Sequence, residues 1–425
     1  MQTRPLTHVD AHVRVILNVL VSILVNVLVF SIPTGAAAQE RTDTVAPGVV
    51  YSAHTRDAGP WRVHVVEVDL RRDDVALVAV RPNDGLFGRE RVSDMAGRLA
   101  DSLQVLAGIN GDFFDLDTGE NENNQVLGGR FLKGMRVTDS PWDTFRNAHT
   151  QFAVGADGRP YFERFRFAGR VQRAGPGGRV IDVVLDGLNG IPRDAAGLVL
   201  FTEARGAAPR RDTIAGGVEV PLVRIHAGNG TGPRYRVAGG SRAIGTEPIA
   251  PGTAVLAAYG PAAAARLDTL LAGSGPLQVR YGMVPDRGPL ELVVGGWPRL
   301  VVDGRSVAAA ADSLEGTFPE FSARRHARSA VAVTRDSATL LLVTVDGVPR
   351  GAGTGPSAGM TLVEFADLLL SLGAFQALNL DGGGSTTLLV RDRVANAPTD
   401  PEGERAVGIS LFVVRRQGRD APDSR

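Results

Sequence analysis

Residues 377–390 read Ala-Leu-Asn-Leu-Asp-Gly-Gly-Gly-Ser-Thr-Thr-Leu-Leu-Val, three consecutive glycines between two apolar runs. Three glycines in a row are unfavourable inside a helix or a strand, because each loses more backbone freedom on folding than any other residue. The chain therefore turns here, and its flanks, 375–380 and 386–390, have strand composition. With no Cβ atoms in the way, the N–H groups of Gly382, Gly383 and Gly384 can approach an anionic ligand closely. Asp381, Ser385 and Thr386 add polar side chains at the same point. A tight hairpin capped by Asp381 would have the same composition, so the segment alone leaves both readings open.

Patterning elsewhere predicts an α+β fold of mixed, mainly antiparallel sheets flanked by helices, with an all-β insertion. Residues 61–70 and 75–81 read as strands joined by the charged turn Arg71-Arg-Asp-Asp74. A helix over 93–103, with Ser93 as N-cap, and a strand over 105–110 come next. From 151 to 290 the texture changes to short β-like runs at 180–185, 197–201, 217–225, 253–259 and 277–279. Gly and Pro clusters such as 175–178 and 228–232 separate them, and 262–271 suits one short helix. Strand signals resume at 290–294 and 299–302, and 329–334 with 339–345 read as an antiparallel hairpin. Thr361-Leu-Val-Glu364 is a capping box. It opens a helix in which Leu362, Phe365, Ala366, Leu369 and Leu372 recur at helical spacing up to Gly373. The expected organisation is a signal peptide at 1–38, two halves of one catalytic domain at 45–150 and 291–417, the β-rich insertion at 151–290 between them, and a disordered tail at 418–425.

Lysine and arginine number 46, as do aspartate and glutamate, so the formal charge is zero. That balance argues against an electrostatic nucleic-acid binder and suits a small neutral or locally charged substrate. Arg4 and Arg14, the apolar run 15–30 and Ala36-Ala-Ala38 make the pattern of an export signal with its cleavage site. The run is long enough for an uncleaved anchor, but Asn18, Asn26 and Pro33 weaken it as a spanning helix. A secreted or periplasmic chain, free of the membrane after cleavage, is the expectation. The chain has no cysteine, which excludes disulfides, thiolate metal sites and a cysteine nucleophile.

Four further segments lead in order to the glycine turn: Gly108-Ile-Asn-Gly-Asp-Phe-Phe114, Gly295-Gly-Trp-Pro-Arg-Leu-Val-Val-Asp-Gly304, Arg325-His-Ala-Arg-Ser-Ala-Val-Ala-Val333 and Gly359-Met-Thr-Leu-Val-Glu-Phe-Ala-Asp-Leu-Leu369. Together the series resembles the phosphodiester glycosidase family over roughly 60–150 and 290–415, its specificity lying in order and combination. The resemblance implies hydrolysis of a sugar 1-phosphodiester at the glycosidic C–O bond, with N-acetylglucosamine as the sugar. The substrate would be a small-molecule or polysaccharide sugar phosphate, such as a cell-envelope phosphodiester.

Such a cleavage calls for a carboxylate near the sugar C1. The phosphate monoester leaves as a weak base, so donors that hold phosphate matter more than a strong general acid. Asp381 is the first candidate for the carboxylate, as base or nucleophile, with Gly382, Gly383, Gly384, Ser385 and Thr386 as phosphate cradle and Asn379 on the strand leading in. Asp346 ends a strand before the Gly-rich loop 347–359, either as partner carboxylate or as an ordinary turn residue. The resemblance puts His326, Arg325 and Arg328 at the phosphate, with His326 a possible proton donor. The residues alone read as a surface histidine among arginines, and Ala327 stands where many relatives carry proline. Asn110 is implied as a substrate donor or as the residue that positions the catalytic carboxylate, and Asp112 as a further contact where relatives often have glycine. Asn110 before Gly111 also suits a left-handed turn.

Asp115-Leu-Asp-Thr-Gly-Glu120 resembles half of a calcium loop, making Asp115, Asp117 and Glu120 metal candidates. The full ligand spacing is missing, so a solvated acidic loop is the plainer reading. The expected chemistry requires no cofactor, and a bound calcium would be structural. Two other functions stay open. One is a metal-dependent phosphodiesterase that breaks P–O with Asp112, Asp115, Asp117 and Asp381 as ligands, although the histidines show no paired ligand spacing. The other is a glycan-binding protein without turnover, for which Trp61, Trp142 and Trp297 offer few indole platforms.

Overall fold

The computed structural model describes residues 41–416 apart from 58, 139, 191–195, 207–216 and 228–231. The expected signal peptide and tail, and most of the loop at 228–232, lie outside the described residues. The described residues make up one compact unit.

Two antiparallel sheets form its centre. One has eight strands in the order Arg41–Ala46, Val49–Arg56, Trp61–Asp69, Thr339–Val345, Arg328–Val333, Gln376–Asn379, Arg299–Val302 and Arg305–Ser306. The other has five: Arg393–Val394, Leu388–Val390, Gln104–Asn110, Ser410–Arg415 and Val75–Val80. Successive side chains of a strand point to opposite faces, so the strand Arg328–Val333 feeds two cores. Val331 and Val333 join one core with Leu106, Ile109, Leu411 and Val413 of the five-stranded sheet. Ala330 and Ala332 join a second core with Phe365 and Leu369 of the helix Leu362–Ser371. The neighbouring strand divides likewise, with Leu340 and Leu342 in the first core and Leu341 and Val343 in the second. Beyond the five-stranded sheet, Met95 of the helix Val92–Ala100 meets Phe412. The layers therefore run helix, sheet, sheet, helix.

A third sheet of fourteen strands is antiparallel except where Gly187–Leu188 runs parallel to Gly197–Thr202. It extends from the hairpin Gln125–Leu127 and Arg130–Met135 into the insertion, because Gly187–Leu188 pairs with Arg130–Met135. The helix Pro261–Leu271 buries Leu267 and Leu270 in this sheet's core. The fold is mostly β with few helices, so the expected α+β balance shifts towards strand.

The capping box forms as read: the Glu364 N–H donates to the Thr361 hydroxyl at 3.1 Å, and the Thr361 N–H to the Glu364 carboxylate at 3.0 Å. Ser93 does not cap its helix. It lies inside the first turn, where its N–H and hydroxyl both donate to Glu404, at 3.0 and 2.5 Å. A carboxylate from the loop before the last strand thus takes the position that the sequence suggested for a local cap, where the helix dipole favours negative charge.

The triple glycine closes no hairpin. Gln376–Asn379 belongs to the eight-stranded sheet and Leu388–Val390 to the five-stranded one, so residues 380–387 carry the chain from one sheet to the other.

Candidate active site

Asp381 stands at the start of this crossing, and backbone contacts from both sheets fix it. The N–H of Leu380 donates to Ser329 in the eight-stranded sheet at 2.8 Å. Asp381 itself donates its N–H to the Gly111 carbonyl at 2.9 Å and accepts at its own carbonyl from the Asn110 side chain at 2.5 Å. Asn110 is fully buried, and its oxygen accepts from the Ser329 hydroxyl at 2.7 Å and the Thr387 N–H at 3.1 Å. Asn110 thereby ties the Asp381 backbone to Ser329 and Thr387.

The glycines work through close approach. A Cβ on Gly382 would lie 2.8 Å from the Ala327 carbonyl oxygen, one on Gly384 would lie 1.9 Å from Arg405 Nη2, and Gly383 has φ of 59°. The turn is closed on itself. The N–H groups of Gly382, Gly383, Ser385 and Thr386 donate to Asp381, Ala327, Gly382 and Gly383 respectively. The backbone cradle expected for phosphate therefore shrinks to at most the Gly384 N–H. Arg405 lies beside the turn, held bidentately by Asp400 at 2.7 and 3.0 Å and reaching the Ser385 hydroxyl at 3.4 Å. Ser385 in turn bonds Asp381.

Burial pushes the Asp381 carboxyl up to about 6, against the lowering effects of Ser385, the Gly382 N–H and Arg405. Asp112 raises it further. Asp112 is itself buried and pushed up to about 6 by desolvation, although Asn123 donates to both its oxygens, at 3.0 and 2.7 Å. It lies over Gly295, where a Cβ would come within 2.3 Å of its carboxylate. Glu122 completes the group: burial first, then the charge of Asp112, drives its carboxyl well above the usual range. Asp143 and Asp381 push in the same direction. An apolar wall adjoins these acids. Trp297 stacks on His149 at 5.2 Å and on Phe321 at 5.1 Å, with Phe113 edge-on to Trp297 at 5.8 Å. The Trp297 backbone N–H donates to the Asn379 carbonyl at 2.8 Å, and the Asn379 side-chain amide donates to the Trp297 carbonyl at 2.7 Å, which ties the wall to the strand leading into Asp381.

Most of the other sequence candidates are engaged by partners of their own. Asp346 lies across the strand Arg328–Val333 from the crossing, because Arg328 pairs with Val345 on one side and Gly383 bonds Ala327 on the other. Two strand spacings put the two backbones about 10 Å apart. Both Asp346 oxygens are engaged, one by the Ala397 N–H at 2.9 Å and one by His64 at 3.5 Å. Arg325 is exposed and paired with Glu364 at 2.5 Å. Arg328 is buried and donates to the carbonyls of Met360, Phe321 and Arg324 at 3.0, 2.7 and 3.1 Å, which leaves desolvation to lower its guanidinium to about 9. His326 is half-buried and its ring pKa is lowered, first by desolvation and then by Arg328. Asp115 closes its own turn, accepting from Asp117 at 3.0 Å and Thr118 at 2.8 Å, and Glu120 pairs with Lys133 at 2.9 Å. Among the described residues no group of three or more His, Asp or Glu side chains is arranged to hold a metal ion. Asn121–Gln125, which follows the loop 115–120, is buried because its amides bridge distant backbone: Asn121 to Gly408 at 2.9 Å and Asn124 to Phe165 at 3.0 Å.

The sequence reading passed over Glu122, His149, Asp400 and Arg405 as site residues. A signal for the first existed in the run Asn121-Glu-Asn-Asn-Gln125, where amides carry both donor and acceptor and so suit buried bridging.

Residues 235–414 match the phosphodiester glycosidase family. The match includes His326, Asp346, Asp381 and Arg405, while Asn110, Asp112 and Glu122 lie outside its span. A search of curated protein sequences finds no match. Among solved structures, a hypothetical protein from Synechocystis superposes with a TM-score of 0.66 at 21% identity; the match covers 89% of this chain and 64% of the Synechocystis chain, so it speaks for the fold. A Burkholderia pseudomallei protein, provisionally described as exported, superposes with a TM-score of 0.59 at 25% identity, covering 84% of this chain and 74% of that one. The zebrafish N-acetylglucosamine-1-phosphodiester alpha-N-acetylglucosaminidase catalytic domain gives 0.45 at 18% identity, covering 90% and 85%, a likeness too loose to carry weight on function.

Proposed function

We propose that this chain hydrolyses sugar 1-phosphodiesters at the glycosidic C–O bond, giving free sugar and a phosphate monoester, a reading the family match supports, with N-acetylglucosamine the sugar that the sequence resemblance implies. The observation that carries this reading is a desolvated carboxyl, Asp381, fixed by backbone bonds at the mouth of a glycine turn with Arg405 beside it. Ionised Asp381 acts at the sugar C1 as nucleophile or as base for water. The C1–O bond breaks, its electron pair leaves on the phosphate oxygen, and Arg405 stabilises the charge that develops there. Glu122, whose carboxyl stays protonated to higher pH, can donate a proton in the same site. The half-buried Phe113 and Phe321 offer an apolar face to the sugar ring.

No cofactor enters this chemistry, and chelator is expected to leave the rate unchanged. The signal-like residues 1–38 and the Burkholderia relative's description both favour work outside the cytoplasm. Among the described residues no helix is long and apolar enough to cross a membrane. The test is turnover of an N-acetylglucosamine 1-phosphodiester in ¹⁸O water, beside Asp381→Asn. Label in the sugar, lost in the variant, is expected; label in phosphate would mean P–O cleavage and overturn the reading.

A further inference from the structure

A cavity of about 720 Å³ lies between the hairpin 125–135 and the insertion, and the proposed hydrolysis does not use it. Its size falls in the range of small-molecule sites, roughly 300–1,000 Å³. Phe131 and Tyr281, edge-to-face at 5.3 Å, give it an aromatic wall, and Tyr235 stands in the same lining. Neither tyrosine hydroxyl has a partner among the described residues, nor does the exposed guanidinium of Arg130. Glu203 pairs one oxygen with Arg224 at 2.6 Å and keeps the other buried without a partner. The lining thus sets idle donors and an idle acceptor around an aromatic face.

Its charge decides what such a lining holds. Arg130 and Arg224 are matched by Glu203 and Asp286, so a phosphate entering the cavity would meet as many carboxylates as guanidinium groups. A pyranose ring fits better, since it presents apolar C–H faces to aromatic rings while its hydroxyls both give and accept hydrogen bonds. We propose that this cavity is a saccharide-binding site for a neutral pyranose unit. It also extends the hydrolase reading, on which this part rests. Phe131 of the cavity and Lys133, whose charge acts on Asp112, are two residues apart on one strand, about 7 Å. The cavity would then hold a sugar of a glycan substrate beyond the bond that Asp381 cleaves.

The chain has five tyrosines, which makes 3-fluorotyrosine labelling and ¹⁹F NMR of the whole chain a direct test. The probe is N,N′-diacetylchitobiose at millimolar concentration, with Tyr235→Phe and Tyr281→Phe assigning the signals. Saturable shifts of these two resonances are expected. They should persist in Asp381→Asn, while the exposed Arg130→Ala weakens binding about tenfold. No shift of either resonance overturns the proposal, as does a shift with inorganic phosphate alone, which would mark an anion site. Should the ¹⁸O experiment fail while these shifts remain, the hydrolase reading falls and the saccharide site stands.

Discussion

Asp381 holds a carboxyl where water is scarce, and this makes both rate and stability depend on pH. Its ordinary value of 3.8 rises to about 6 in the folded chain, as does that of Asp112. Below about 3.8 both states are protonated and the shift contributes nothing. Between there and about 6 the unfolded chain ionises first, so stability falls as pH rises, and above about 6 the loss is complete and constant. Thermal melts should therefore show Asp381→Asn more stable than the parent at pH 7 and little different near pH 4. Its turnover should fall by about 10²–10⁴-fold. In the parent, kcat/KM should rise with pH through about 6 as the Asp381 and Asp112 pair ionises, and decline at higher pH as Glu122 loses its proton. Asp381 was legible because its glycine neighbours announce a tight turn. Glu122 and Arg405 were not, since their importance comes from contacts made across the fold: Glu122 feels the charge of Asp112, and Arg405 covers Gly384 from the loop before the last strand.

At the scale of elements, the crossing at 380–387 is where geometry is set. Asn110→Ala would leave the Ser329 hydroxyl and the Thr387 N–H without their acceptor, and should cost about 1–3 kcal/mol in urea unfolding together with a loss of kcat. Gly384→Ala would drive the Arg405–Asp400 pair away from the turn. It should move the acid limb of the pH–rate profile upward, and Arg405→Ala should move it in the same direction, because both remove the cation that lowers Asp381. The strands and the capping box could be read from the sequence because period and capping are local properties. The crossing could not be told from a hairpin, since both need the same glycines and differ only in which sheet receives the second strand.

For the whole molecule, the fourteen-stranded sheet binds the insertion to the strand that carries Lys133. Excising 166–284 would strip the Gly187–Leu188 partner from Arg130–Met135 and bare an edge. Such a chain should aggregate, which light scattering would show at once. The crossing has a consequence of its own. Leu380 is tied to the eight-stranded sheet, while the N–H and carbonyl of Asp381 are tied to residues at the end of a strand in the five-stranded one. Neither sheet alone can hold the carboxylate in place, so under the proposed chemistry a half-folded chain should be inert. Turnover per molecule is then a gauge of completed folding, and during refolding it should lag behind the appearance of strand structure.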